Sequence, residues 1–168
     1  MSLPTFATDR LVLRPRTIGD YDACLAMDRD PAVMRYIPGP WADTQAHQAF
    51  LRDRITRPYP DGLGYWCIVP KASPDRFLGW VLLIPHDAVG PEVEIGWRLV
   101  RPAWGQGYAP EAAAPIVRHG FETVGLDRIV AEIRPEHARS ARVAEKLGFW
   151  RAPSEAHGLY EMTRDRFR

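Results

Sequence analysis

The sequence predicts an α/β fold in which a mixed, mostly antiparallel sheet carries helices on both faces, as a single domain over residues 1–168. Two observations carry that prediction. After an N-terminal strand and its helices, the chain runs through further strands, a helix, a strand, a helix and two closing strands, an order that combines hairpins with a crossover. Within residues 92–124 a strand with period-two alternation passes through a glycine-bearing loop straight into an alanine-rich helix. The chain is long enough to bury a core without disulfides or a structural metal. Its 46% hydrophobic and 26% charged residues are those of a soluble globular protein.

Residues 11–14 form the first strand, which Pro15 stops. Thr17 then caps a helix, with Asp20 at its third position and Tyr21, Cys24, Leu25 and Asp28 following. Asp30-Pro31 repeats the cap-then-proline signal and opens a shorter helix over residues 32–36, ended by Pro38-Gly39-Pro40. Asp43 or Thr44 caps a further helix with Ala46, Phe50, Leu51 and Ile55 on one face. A Pro- and Gly-rich loop over residues 57–64 leads to strands at 65–69 and 77–84, which pair as a hairpin.

The central strand, residues 93–100, leads through Trp104-Gly105-Gln106-Gly107-Tyr108-Ala109 into a helix with Ala109, Ala112, Ala113, Ile116, Val117 and Val124 on its apolar face. Pro110 suits its first turn. Pro115 lies inside it, where proline costs ~3 kcal/mol and removes a donor, so the helix either bends or restarts there. Residues 128–133 alternate apolar and charged side chains as a strand. Residues 138–147 form a helix with Val143 and Leu147 inward and Gly148 as its C-cap glycine. Strands at 149–152 and 159–163 close the chain.

A helix start leaves backbone N–H groups unpaired and carries partial positive charge, so anions bind there. Gly105 and Gly107 remove the Cβ atoms that hold a diphosphate away from those groups. The loop lacks a GK[ST] ending, which disfavours a Walker-type triphosphate site, and it lacks the third glycine of a dinucleotide fingerprint.

Glu94-Ile95-Gly96-Trp97, the Trp104 to Ala109 loop with Glu111-Ala112, and Ser140-Ala141-Arg142-Val143-Ala144-Glu145-Lys146-Leu147-Gly148-Phe149 resemble, in that order, the GNAT superfamily of acyl-CoA-dependent N-acyltransferases. They are closest to its Rim-type branch, which includes ribosomal-protein N-terminal acetyltransferases; Leu11-Val12-Leu13-Arg14-Pro15 also resembles that branch's first strand. The resemblance implies a GNAT-like fold whose sheet splays between the fourth and fifth strands. It implies acetyl-CoA as co-substrate, with its pantetheine arm along Ile95, Trp97 and Leu99 and its diphosphate on Trp104, Gly105, Gln106, Gly107, Tyr108 and Ala109. His137 stands where Rim-type relatives usually carry asparagine, and Arg139 and Arg142 are near enough in sequence to contact phosphates. Gly96 fits the strand distortion.

Attack on a thioester needs a neutral amine, yet reference pKa values are ~7.7 to 8.0 for an α-amino group and ~10.4 for lysine, so a proton acceptor is required. Glu94 matches the position where many GNAT enzymes carry that base, acting directly or through water; the alternative for Glu94 is a solvated edge carboxylate or an ion pair with Arg98. Many relatives place a thiolate-protonating tyrosine where this chain has Ala144. That leaves Ser140 as the candidate acid, with a helix cap as the alternative role for a serine near a helix start, and Tyr160 weaker. Tyr36, Trp41, Tyr65 and Trp66 are candidates to line the acceptor slot. The expected acceptor is a peptide or protein N-terminal α-amine, with a small-molecule amine or a non-catalytic acyl-CoA-binding module as alternatives.

A net charge of +1 gives no reason to expect nucleic acid or an anionic membrane as partner. Cys24 and Cys67 stand outside any zinc-site spacing, so no metal is expected. No stretch approaches the ~20 apolar residues of a membrane span, and a cytoplasmic monomer or homodimer is expected. Only Lys71 and Lys146 are lysine, an arginine bias that fits a GC-rich bacterial genome.

Overall fold

The computed structural model describes residues 2–153 and 158–167. Its strands are β1 (Phe6–Ala7), β2 (Leu11–Pro15), β3 (Gly64–Pro70), β4 (Gly79–Pro85), β5 (Val93–Leu99), β6 (Arg128–Glu132), β7 (Trp150–Arg151) and β8 (Leu159–Thr163). They form one sheet in the order β1-β2-β3-β4-β5-β6-β8-β7, antiparallel except at the parallel β5–β6 seam. The helices are α1 (Tyr21–Asp28), α2 (Pro31–Met34), α3 (Thr44–Thr56), α4 (Tyr108–His119) and α5 (Ala138–Leu147).

Apolar side chains on β3 and β4 point alternately to opposite faces and are buried on both. Trp66, Ile68, Val81 and Leu83 pack with Ile116 and Val117 of α4 and Ala144 of α5. Tyr65, Trp80, Leu82 and Ile84 pack with Cys24 and Leu25 of α1 and Leu51 of α3. The helices are thereby divided between the two faces.

The β5–β6 seam differs from its neighbours. β4 and β5 are paired from Gly79 with Leu99 to Pro85 with Val93, whereas β5 and β6 share one register pair, Glu94 with Val130. This is the expected splay, one number later because the short β1, absent from the sequence reading, pairs with β2 through Phe6 and Leu13.

The caps act as their side chains predict. Thr17 and Asp20 form a reciprocal capping box on a 3-10 turn that runs into α1. Asp30 accepts from the Ala32 N–H ahead of Pro31, and Asp43, rather than Thr44, caps α3 through the Ala46 N–H. Gly148 ends α5 with a φ of 94°. α4 continues through Pro115 to His119 and then widens into a π turn over Gly120–Val124, so it does not restart.

Some expectations need correction. α2 ends at Met34 and is shorter than the 32–36 span. The inward face of α3 carries His47 and Leu51, while Ala46 and Phe50 are exposed, because the His47 ring bonds to Asp28 and turns the neighbouring stripe inward. β6 buries Ile129, Val130 and Ala131 consecutively instead of alternating, since both of its faces are covered. Among the described residues no helix is long and apolar enough to cross a membrane.

Asp20 ties β2 to α1. It accepts from Arg14 at 2.9 and 2.7 Å and from the Thr17 N–H at 2.9 Å. Burial pushes its carboxyl up, but the Arg14 and Thr17 bonds outweigh that and leave its pKa below the ordinary aspartate value. Asp20→Ala is expected to lower unfolding free energy by about 2 kcal/mol in urea titrations, since partly buried charged hydrogen bonds are lost. The contribution is complete above the ordinary aspartate range and is lost as pH falls through the depressed folded-state pKa, so wild type and variant should converge in acid.

Candidate active site

The loop between β5 and α4 is held by its own side chains. The Trp104 indole donates to the Leu99 carbonyl at 2.9 Å, and the Gln106 amide donates to Pro102 O at 2.9 Å. Gly105 and Gly107 have φ of 72° and 77°, values that a Cβ disfavours. Gly107 is the N-cap of α4 and supplies no capping side chain. Among the described residues, no backbone acceptor outside the helices and strands meets the N–H groups of Gly105 and Gly107, and Tyr108 and Ala109 open the first turn of α4, where N–H groups lack intrahelical partners.

These groups border a cavity of about 370 Å³. Leu99, Trp104, Tyr108 and Ala109 line it from the strand, loop and helix; Arg139, Arg142 and Lys146 line it from α5. The Arg139 guanidinium lies 3.7 Å from the Trp104 ring centre. Arg101, by contrast, is engaged by Asp30, Nε to Oδ2 at 3.0 Å. The cavity therefore combines a helix N-terminus with side-chain cations and suits an elongated anionic ligand.

A second cavity, of about 420 Å³, lies on the α1–α3 face of β5. Glu94, Gly96 and Arg98 line it along the strand, and Ile84, Leu82 and Trp80 stand opposite them on β4. A Cβ on Gly96 would meet Leu82 at 3.2 Å, so glycine keeps this row open. Ile37, Trp97, Arg98, His137 and Ser140 line both cavities, so the two adjoin there. There the Trp97 indole donates to Ser140 Oγ at 3.0 Å. The His137 ring stacks on Tyr36 at 4.8 Å, and burial, aided by Arg139, lowers its pKa and favours the neutral ring.

Glu94 has 18% of its side chain exposed. Burial, the largest influence, pushes its carboxyl above the ordinary glutamate range against the pull of His86, whose Nε2 lies 3.9 Å away. His86 bonds Glu132 at 2.8 Å, and chiefly through that bond its pKa is raised. Glu94 makes no pair with Arg98. Arg98 donates instead to buried Asp28 at 2.7 Å, and Asp28 also bonds His47 at 3.3 Å.

Most candidate residues converge on the two cavities. Trp97, Leu99, Trp104, Gly105, Gly107, Tyr108, Ala109, His137, Arg139 and Arg142 line the first, and Glu94, Tyr36, Trp41 and Tyr65 line the second, with Ser140 where the two adjoin. Ile95 is 2% exposed and lines only the second cavity. The Gln106 side chain lines neither, since it is spent on Pro102 O, so only its N–H faces the loop's task. Trp66 lies on the opposite face, bonded to Pro4 O, and Tyr160 is 6% exposed in the core and lines neither cavity. Ser140 caps nothing; His137 is the N-cap of α5.

Sequence reasoning missed His86, Asp28, Arg16, Arg54 and Trp80. A signal existed only for Trp80 and His86: once the hairpin is registered against β5, Trp80 faces Arg98, and His86 follows the residue opposite Val93.

The acetyltransferase (GNAT) domain family matches residues 10–150 of the chain. YkkB, an uncharacterized protein of Bacillus subtilis, is 33% identical over 144 residues, 84% of this chain and 82% of its own length. p20, an uncharacterized N-acetyltransferase of Bacillus licheniformis, is 28% identical over 148 residues, 88% of this chain and 83% of its own. The crystal structure of an acetyltransferase from Agrobacterium tumefaciens superposes with a TM-score of 0.80 at 28% identity, covering 96% of this chain and 95% of that one.

The Asp28–Arg98 pair, with side chains 3% and 12% exposed, anchors β5 to α1. Asp28→Ala leaves the Arg98 charge buried without a partner and is expected to cost about 3 kcal/mol in urea denaturation. Replacing both, as Asp28→Leu with Arg98→Met, should recover most of that loss.

Proposed function

The chain belongs to the GNAT family of acetyltransferases, and from that premise we propose that it transfers an acetyl group from acetyl-CoA to a primary amine by direct attack within a ternary complex. One observation carries the proposal. The unpaired N–H groups at the mouth of α4 border a cavity that adjoins, at Ser140, a second one holding a half-buried carboxylate of raised pKa.

In this reading the N–H groups of residues 105–109 take the diphosphate, with Arg139 and Arg142 adding charge. A Cβ at Gly107 would meet Arg10 Nη2 at 3.5 Å, an ordinary contact, and one at Gly105 would meet nothing, so the left-handed backbone rather than crowding calls for glycine at both positions. Acetyl-CoA supplies the activated acyl group. β5 meets β6 only at Glu94, so the strand beyond is free to pair with the pantetheine arm and to hold negative charge developing on the carbonyl oxygen.

Glu94 accepts the amine's proton, directly or through water, and its raised pKa brings it nearer the operating pH. Ser140 passes its hydroxyl proton to the departing thiolate and is reprotonated by the proton that the amine gives up through Glu94, by way of solvent. Its Oγ accepts from Trp97, which leaves its own hydrogen to donate. Ala144 is fully buried against the core, so that face of α5 leaves no room for the tyrosine many relatives place there. On this reading the domain spans residues 1–168 and needs no metal.

The Rim-type resemblance supports a peptide or protein N-terminal α-amine as acceptor. A second reading, a small-molecule amine, is favoured by Arg16 and Arg54, which line the acceptor cavity and make no ion pair among the described residues.

Glu94→Gln should retain acetyl-CoA binding by calorimetry and lose about a hundredfold in kcat at neutral pH in a thiol-release assay. Because the base acts when deprotonated, wild-type activity should rise with pH through a limb above the ordinary glutamate range. The variant should lack that limb, and an unchanged profile removes Glu94 from the mechanism. Gly107→Ala forces a left-handed backbone on a Cβ and should weaken acetyl-CoA binding about tenfold while kcat changes less.

A further inference from the structure

The acceptor cavity is electrically two-ended. Asp87, Glu94 and Glu132 line it where β5 and β6 meet, with His86 bonded to Glu132. Arg16, Arg54 and Arg98 also line it; one carboxylate, Asp28, answers them, and it is already shared by Arg98 and His47.

The unanswered charges are specific. Among the described residues neither Arg16 nor Arg54 makes an ion pair. Arg16 lies 3.5 Å over the Tyr65 ring and donates to Arg54 O, and the Arg54 guanidinium packs on Phe50. Arg54 Nη1 and Arg98 Nε are buried donors with no partner in the protein. Without a counter-charge, the whole guanidinium groups of Arg16 and Arg54 at the cavity wall attract an oxyanion, which takes charge-assisted, often bidentate, bonds. Arg134 also lines the cavity but is exposed to solvent.

The two ends have different partners in one ligand. An ammonium is drawn to the carboxylates, Glu94 among them. A negative group is drawn to Arg54 and Arg98. Resting on the transfer reading above, we infer that the acceptor is a small zwitterionic amine, a primary amine that also carries an oxyanion such as a carboxylate, and that Arg54 selects it. A peptide N-terminus without a nearby acid leaves the arginines unanswered.

The test compares 6-aminohexanoate with 6-aminohexanamide, whose distant groups barely alter amine basicity, and L-phenylalanine with L-phenylalaninamide, together with a tripeptide amide lacking acidic residues. Thiol release with acetyl-CoA gives kcat/KM; calorimetry with CoA and the N-acetylated products gives affinity independently of turnover. At least one carboxylate should exceed its amide by about tenfold or more in both. Arg54→Gln should reduce that ratio at least about fivefold and Arg54→Lys should restore part of it, with acetyl-CoA affinity in the other cavity showing that each variant is folded. Equal treatment of acid and amide, preference for the tripeptide amide, or failure of every carboxylate to bind overturns the inference and leaves acetyl transfer standing. Selective carboxylate binding without turnover supports the inference and overturns the transfer reading.

Discussion

The parallel seam between β5 and β6 is the constraint on which the other features depend. β5 is paired with β4 along its whole length and is in register with β6 at Glu94 alone. A paired seam leaves no entry between the strands; a fully separated one exposes the core. One register pair holds the two halves of the sheet together while the strand beyond Glu94 keeps an unpaired edge. The β5–α4 loop begins where that edge ends, so the N–H groups at the mouth of α4 lie along the same path. The cavity on the α5 side and the one on the α1–α3 side are therefore two ends of one opening.

Electrostatics then distinguish the ends. Glu94 is buried enough for desolvation to outweigh the attraction of His86, and His86 is itself held by Glu132. At the other end Arg98 is spent on Asp28, which fixes β5 against α1 and leaves one guanidinium nitrogen over. The same ion pair thus secures the site's wall and leaves part of its polarity unanswered. Its stabilising value is limited by the desolvation of both charges, and its better-supported role is to set geometry.

Features that depend on local backbone chemistry were legible in the sequence. The Thr17 box, the Asp30 and Asp43 caps, the positive-φ glycines and the strand–loop–helix passage each need only neighbouring residues to form. What was not legible needs a partner far along the chain. The inward stripe of α3 depends on His47 meeting Asp28, nineteen residues earlier in sequence. His86 reaches Glu132 because the turn after β4 takes left-handed angles at Asp87 and Ala88, which neither residue's identity demands. Ile95 was assigned by position on the strand, and tertiary packing turned it into the core.

The departure at Ala144 follows from the same geometry. α5 packs on the first core layer through Ala144, while Ser140, one turn earlier, reaches the place where the two cavities adjoin. A hydroxyl on a short side chain has little reach, so the indole of Trp97 has to meet it across the splayed seam and fix its orientation. Trp97 stands on β5 and Ser140 on α5, and the bond between them forms only if strand and helix hold their spacing. The proton donor proposed for the thiolate is therefore positioned by the strand that also carries the base, so a shift of β5 would displace both groups together rather than one of them.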